Sequence, residues 1–161
     1  MEISRDFFDS LKGARIERAF RVVVGMPNGE EVILPDTIVI KANGELIQLL
    51  TDPSSPHLHI LAGPHDVVVE GDYADRISTE LRNIDLDTLP LQANQVHVVH
   101  EVVRDPNRRF LVGAVLSEGT SGKSLSITTH LDDLEIGSVE VLMQYLGRLL
   151  PGVSKIEIER R

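Results

Sequence analysis

Alternation between apolar and polar residues dominates this chain and predicts that most of it forms β strands. Residues 15–24 show the pattern clearly, because Ile16, Phe20, Val22 and Val24 would share one face of an extended chain. Further extended segments are predicted at residues 31–41, 45–51, 57–62, 66–70, 95–104, 109–117, 123–130 and 153–159. We therefore expect a protein rich in β sheet.

The connections between these segments predict antiparallel pairing. Asn43-Gly44 separates two apolar segments, and this dipeptide favours a type I′ hairpin turn because both central residues of that turn need a positive φ. The segments between residues 95 and 130 are joined by short turns, which are typical of an antiparallel meander. One of these turns, residues 118–122, is followed by a strand, so Gly119-Thr120-Ser121-Gly122-Lys123-Ser124 is interpreted as a turn and not as a phosphate-binding loop.

Three segments show helical spacing instead. Ser4 can cap a short N-terminal helix that ends before Gly13, and a middle helix at residues 72–83 would carry its apolar residues at intervals of three to four. That apolar stripe comprises Tyr73, Ile77, Leu81 and Ile84. A third, amphipathic helix begins at Ser138, with a stripe of Val139, Leu142, Met143, Leu146, Leu149 and Leu150.

Together these patterns predict an α+β fold. Its sheets would be mainly antiparallel, with a short N-terminal helix, a middle helix and an amphipathic C-terminal helix followed by a last strand. A chain of 161 residues has the size of one domain, so a single α+β domain over residues 1–161 is expected. A subdivision could fall only in the connector at residues 85–94.

Composition and apolar segment length restrict where the protein acts. The chain has no cysteine, which excludes disulfides and thiolate metal sites and fits a reducing compartment. No export signal is visible, and the longest apolar segment, residues 110–116, is far shorter than the about 20 residues of a transmembrane helix. We therefore expect a soluble, cytoplasmic protein that does not enter a membrane.

The acidic charge is concentrated in the middle of the chain. Residues 26–103 contain 13 acidic and 3 basic residues, a net charge of −10 in a protein of net charge −9. Such a segment disfavours nucleic acid and favours a basic protein partner, although an acidic surface can also serve solubility alone. The predicted partner-binding residues are Glu30, Glu31, Asp36, Glu45, Asp66, Glu70, Asp72 and Asp75.

Histidines provide the second candidate chemistry. His57 and His59 would lie on the same face of a strand, and His65 could fold back as a third ligand for a divalent metal. The alternative is that these histidines are simply exposed to solvent. No set of residues matches a catalytic motif, and His100-Glu101 lacks the second histidine of the zinc-peptidase motif at position 104.

These observations favour a non-enzymatic, acidic protein-interaction module. By architectural analogy alone, it would bind a basic protein as secretion chaperones or toxin-neutralising immunity proteins do. One alternative is a metal-binding protein or metal-dependent enzyme that uses His57, His59 and His65. Another is an oligomeric structural component in which an exposed strand, such as residues 153–159, pairs with a second copy.

Overall fold

The computed structural model describes residues 11–52, 55–62, 67, 69, 73–104, 107–130, 133–146 and 154–160. The described elements are eleven strands and one helix. They are β1 Arg15–Gly25, β2 Glu31–Ala42, β3 Glu45–Asp52, β4 Ser55–Ala62, β5 Ser78–Asn83, β6 Leu91–Gln92, β7 Gln95–Arg104, β8 Asn107–Ser117, β9 Ser124–His130, β10 Asp133–Gly137, α1 Val139–Leu146 and β11 Ser154–Arg160. The predicted α+β class is therefore wrong, because the described chain is mostly β sheet.

The strands form two antiparallel sheets. Sheet A has the order β4-β3-β2-β1-β5, and β6 pairs with the beginning of β1 beyond the end of β5. Sheet B has the order β10-β9-β8-β7-β11. The expectation of mainly antiparallel pairing is confirmed, including the meander of β7, β8 and β9.

The hairpin between β2 and β3 forms as predicted. Asn43 and Gly44 have φ angles of 50° and 82°, both positive as a type I′ turn requires. Ala42 pairs with Glu45 directly beside this turn, so the register of the two strands is set there. The turn after β8 is also a hairpin turn, closed by a hydrogen bond from the Glu118 N–H to the Lys123 carbonyl.

A common hydrophobic core holds the two sheets face to face. β10 contacts β2 and β3, and β4 contacts β8 and β9. The core contains Ile16, Ala19, Ile38, Ile40, Ile47 and Leu49 from sheet A, and Val96, Val98, Ala114, Leu116, Leu125, Ile127, Leu134 and Ile136 from sheet B. Alternate residues of each strand point into this core, which is the arrangement of a β sandwich.

β1 is buried on both faces, which the sequence pattern did not predict. Its pairing with β2 shifts register between Ile16 and Arg18, so Ile16 belongs to the core while Phe20, Val22 and Val24 face outward. These three residues join a second apolar cluster on the outer face of sheet A, together with Leu34, Val39, Met26, Val32, Val67, Val69, Tyr73 and Leu81.

The predicted middle helix is wrong. Residues 78–83 form β5, which pairs with the second half of β1 from Phe20 to Gly25. The apolar stripe is divided among three places: Tyr73 and Leu81 pack on the outer face of sheet A, Ile84 packs on the core, and Ile77 is 73% exposed. Pairing satisfies the backbone groups along β1, and this tertiary demand overrides the local helical spacing.

The predicted C-terminal helix is only partly present and is less amphipathic than expected. α1 spans eight residues and packs Leu142 against Val99 and Val112 on the outer face of sheet B. Met143, which was expected on the buried stripe, is 60% exposed. Residues 147–150 lie outside the described residues, as do residues 4–10 of the N-terminal helix that was predicted to run from Ser4 through Lys12. β10 was not expected at all.

The connector at residues 85–94 contributes directly to the sandwich. It contains β6, and Leu91 and Ala93 are fully buried in the core that both sheets share. The single-domain assignment stays a prediction. Within the described residues, α1 is far too short to cross a membrane.

Candidate functional site

A pocket lies at the end of sheet A where β1, β2 and β5 meet. On the core side of β1, Arg21 is paired with Glu135 of β10, with 3.4 Å between Nη2 and Oε2. The residues that follow on this face, Val23 and Gly25, do not belong to the shared core and instead line the pocket. Its volume is about 190 Å³. We call it the acidic pocket.

Cross-strand pairing explains why carboxylates surround this pocket. Gly25 of β1 is flanked by Glu31 of β2 and Ser78 of β5, and Val23 is flanked by Glu80 of β5. Residues paired directly across antiparallel strands lie on the same face of a sheet. Glu31 and Glu80 therefore approach the pocket from opposite sides of β1.

The turn between β1 and β2 places a third carboxylate at the rim. The Met26 N–H donates to the Glu30 carbonyl at 2.8 Å, and the Glu30 N–H donates to Asn28 Oδ1 at 3.0 Å. Gly29 adopts a φ of 88°, a backbone conformation that is unfavourable for residues with a side chain. This closed turn brings Glu30 to the pocket beside Met26.

One arginine partly neutralises the three carboxylates. Arg82 Nη2 lies 3.1 Å from Glu31 Oε2 and 3.5 Å from Glu80 Oε2. The hydrogen bond to Glu31 and the negative charge of Glu80 raise the pKa of Arg82 above its usual value. Within the described part of the chain, no ion pair involves Glu30. Three carboxylates and one guanidinium leave a net charge of −2 around the pocket.

Apolar surface accompanies this charge. Val23, Met26 and Ile77 line the pocket, and Ile77 is 73% exposed. Ile33, which pairs with Val23 across β1 and β2, is 54% exposed. Two large aliphatic side chains are therefore exposed to solvent beside the charged pocket.

The structure brings together only part of the predicted acidic set. Glu30 and Glu31 line the acidic pocket, and Asp75 precedes Ile77 by two residues at the same end of sheet A. Glu45 lies beside the turn between β2 and β3, at the opposite end of β2, roughly 30 Å away at the usual rise per strand residue. Asp36 is half-buried in the middle of β2. Asp66, Glu70 and Asp72 lie outside the described residues.

Sequence reasoning missed Glu80 and Arg82 as site residues. Both were assigned to the middle helix, whereas they flank Leu81 on β5 and point to the opposite face from it. The alternation of Glu80, Leu81 and Arg82 is the only strand signal in this segment, and it is too short to outweigh a helical stripe.

The side chains of the predicted metal ligands His57, His59 and His65 lie outside the part of the chain that the structure describes. Positions 57 and 59 lie in β4, which agrees with the predicted strand, but their side chains and all of His65 lie outside the described residues. Among the residues that are described, no group of three histidine, aspartate or glutamate side chains is placed to hold a metal ion.

The acidic pocket can therefore bind a positively charged group that also has an apolar portion. Carboxylates attract the charge, and Val23, Met26 and Ile77 can contact the apolar portion. In comparisons with known proteins, no family model, no curated protein and no solved structure matches this chain.

Proposed function

We propose that this protein is a non-enzymatic interaction module that binds a basic segment of a protein partner in the acidic pocket. The observation that carries the proposal is the combination of Glu30, Glu31 and Glu80 with an apolar lining at one end of sheet A. The module would act in the manner of a chaperone or an immunity protein, in a reducing compartment such as the cytoplasm.

Lysine and arginine side chains match this pocket chemically. Each has an aliphatic stem that packs on apolar surface and a charged end that needs acceptors. The exposed Ile77 side chain is available to the stem, while Glu30 is available to the charge. A partner could also contact Ile33 next to the pocket, which would add apolar area to the complex.

The size of the pocket supports a side chain as the occupant. A volume of about 190 Å³ is below the about 300 to 1,000 Å³ that is usual for sites of drug-sized ligands. A single long side chain needs less room than such a ligand. The partner's remaining contacts would then lie on the surrounding surface.

The charge distribution along the chain supports a basic partner and disfavours nucleic acid. The net charge of −10 over residues 26–103 would speed the approach of a positively charged protein and would repel a phosphate backbone. Electrostatic attraction of this kind weakens as salt rises, because added ions screen exposed charges over about 8 Å at physiological ionic strength.

The experiment is a nuclear magnetic resonance titration of the full chain with a short peptide that contains lysine and arginine. A peptide with the same length but with glutamate at the basic positions is the control. We expect the largest shifts at the backbone amides of Gly25, Gly29 and Ser78, which line the pocket, and a loss of binding at high salt.

Two results would contradict the proposal. Shifts spread evenly over every acidic part of the surface would indicate non-specific attraction and no site. Equal binding of the basic and the acidic peptide would indicate that charge does not select the ligand.

A further inference from the structure

One arginine connects two carboxylates of the acidic pocket that come from different strands. Arg82 Nη2 lies 3.1 Å from Glu31 Oε2 and 3.5 Å from Glu80 Oε2. Glu31 belongs to β2 and Glu80 to β5, which are the two neighbours of β1 and lie roughly 10 Å apart at the usual spacing between strands. The side chain of Arg82 therefore extends from β5 across β1 to reach Glu31.

Two arginines face each other at this position of sheet A, and they have different partners. Arg82 pairs directly with Arg21 of β1 in the register of the sheet. Arg21 Nη2 lies 3.4 Å from Glu135 Oε2, and Arg21 Nη1 donates to the Pro35 carbonyl at 3.4 Å. Like charges on directly opposite residues repel each other. This repulsion favours the release of Arg82 from the pocket carboxylates, whereas the contacts of Arg21 lie outside the pocket.

The ion pairs of Arg82 are exposed to solvent. The side chains of Arg82, Glu31 and Glu80 are between 44% and 63% exposed. Exposed ion pairs are weak, because water and salt compete with them. The described residues that line the acidic pocket include Glu31 and Glu80 but not Arg82. Release of the arginine would therefore leave both carboxylates available to another cation and would keep the lining of the pocket in place.

We propose that Arg82 is an internal substitute for the basic side chain of the partner, and that this side chain displaces Arg82 from Glu31 and Glu80. The inference rests on the proposed function of the acidic pocket and goes beyond it, because it names the group that the partner replaces. In the unbound protein the two carboxylates already bind one positively charged group of the same chemistry as the partner's.

Displacement makes Arg82 a regulator of affinity. While Arg82 occupies the two carboxylates, the pocket is only partly available, and the apparent affinity falls in proportion to the available fraction. Because exposed ion pairs are weak, this competition amounts to only a few-fold. A segment with one basic residue would compete poorly, whereas a segment with several would bind strongly enough to displace Arg82. Arg82 thus sets a threshold of positive charge for the partner.

The test reads two nuclear magnetic resonance signals in one titration of the full chain with the basic peptide. The backbone amides of Gly25 and Ser78, which line the pocket, report whether the peptide enters it. The Nε–H signal of Arg82, identified by its absence in Arg82→Gln, reports whether this arginine leaves its carboxylates. We expect both signals to change together. At saturation the Arg82 signal should reach the position that it has in Glu31→Ala/Glu80→Ala, where both ion pairs are removed.

A matched pair of substitutions tests the same inference through affinity. Arg82→Gln should strengthen binding of the basic peptide about fivefold, because it removes the competing group. Arg21→Gln removes the same charge from the directly opposite residue and should strengthen binding by less than about twofold. In the Glu31→Ala/Glu80→Ala background, Arg82→Gln should strengthen binding no more than Arg21→Gln does. Circular dichroism would establish that each variant is folded.

The outcomes distinguish this inference from the proposed function. Shifts at the pocket amides with an unchanged Arg82 signal would overturn the displacement alone, as would equal effects of Arg82→Gln and Arg21→Gln on affinity. An Arg82→Gln variant that binds more weakly than the wild-type protein would also overturn it, because Arg82 would then be a contact of the partner. A basic peptide that causes no shifts at the pocket amides would overturn both the displacement and the proposed function.

Discussion

The two halves of β1 contrast sharply, although they belong to one continuous strand. In the first half, Ile16 and Ala19 face sheet B and are completely buried in the shared core. In the second half, Val23 and Gly25 on the same side line the acidic pocket. Where sheet B covers sheet A the neighbouring strands supply aliphatic residues, and where the cover ends they supply Glu31 and Glu80.

This contrast indicates that the residues that stabilise the fold and the residues available for binding lie in different parts of sheet A. The covered half contributes buried apolar area, which is the main favourable contribution to folding. The open half keeps charges and two exposed isoleucines at the surface, where they add little to folding but are available to a partner. Substitutions in the covered half should therefore lower stability more than they change binding. Substitutions in the open half should change binding more than they lower stability.

The largest effect is expected in the covered half. Ile40→Ala removes a fully buried side chain from the shared core and should lower the free energy of unfolding by about 2 to 5 kcal/mol. Ile33→Ala is the matched control, because the same residue type on the same strand is 54% exposed there. That control should change stability by less than about 1 kcal/mol. Urea denaturation would measure both, and equal effects would contradict the contrast.

A backbone contact within sheet B gives the next largest effect. Gly113 lies so close to β9 that a Cβ atom at this position would be 2.7 Å from the carbonyl oxygen of Ile127. Because that neighbour is backbone, Gly113→Ala should force the strands apart and lower stability by about 1 to 3 kcal/mol. Thermal denaturation would check it. An unchanged melting temperature would contradict this prediction, because it would show that β8 and β9 can move apart without a loss of stability.

A substitution at Arg82 tests the open half of the sheet, beside the acidic pocket. Arg82→Gln removes the positive charge beside Glu31 and Glu80 and changes the net charge around the acidic pocket from −2 to −3. Since the ion pairs are exposed, stability should change by less than about 1 kcal/mol. Affinity for the basic peptide should rise a few-fold. Calorimetric titration would measure the affinity, and a weaker complex would indicate that Arg82 itself contacts the partner.

The smallest expected effect is a pH dependence of stability that involves Glu118. Hydrogen bonds from Ser121 and from the Gln92 backbone N–H lower the pKa of Glu118 below its usual 4.5. A lowered pKa in the folded state means that the carboxylate stabilises the protein above pH 4.5, and that this contribution disappears as pH falls through the lowered value. Glu118→Gln should therefore reduce the urea midpoint slightly at neutral pH and leave it unchanged in strong acid. A difference that persists in acid would contradict this cause.

Local turn chemistry could be predicted from the sequence, but long-range pairing could not. Asn43-Gly44 determines its turn through its own φ angles, so the β2–β3 hairpin needed no knowledge of the rest of the chain. The pairing of β5 depends on the free edge of β1, which is more than 50 residues earlier in the sequence. The helical spacing of Tyr73, Ile77 and Leu81 carried no information about that edge.

The same limit applies to the candidate site. Glu30 and Glu31 were selected from the acidic segment, but a charge count gave no reason to separate them from Glu45 at the other end of the sheet. Glu80 reaches the acidic pocket only because β5 pairs with β1. A site assembled from three strands becomes visible only when their register is known.

The central claim is that the acidic pocket binds a basic segment, and two charge-matched variants test it most directly. Calorimetric titration with the basic peptide would compare Glu30→Gln/Glu31→Gln/Glu80→Gln with Glu45→Gln/Asp85→Asn/Asp87→Asn, whose three exposed carboxylates lie outside the pocket. Each variant removes three negative charges. We predict that the pocket variant loses at least about tenfold in affinity and that the other loses less than about threefold. Equal losses in both would contradict the claim.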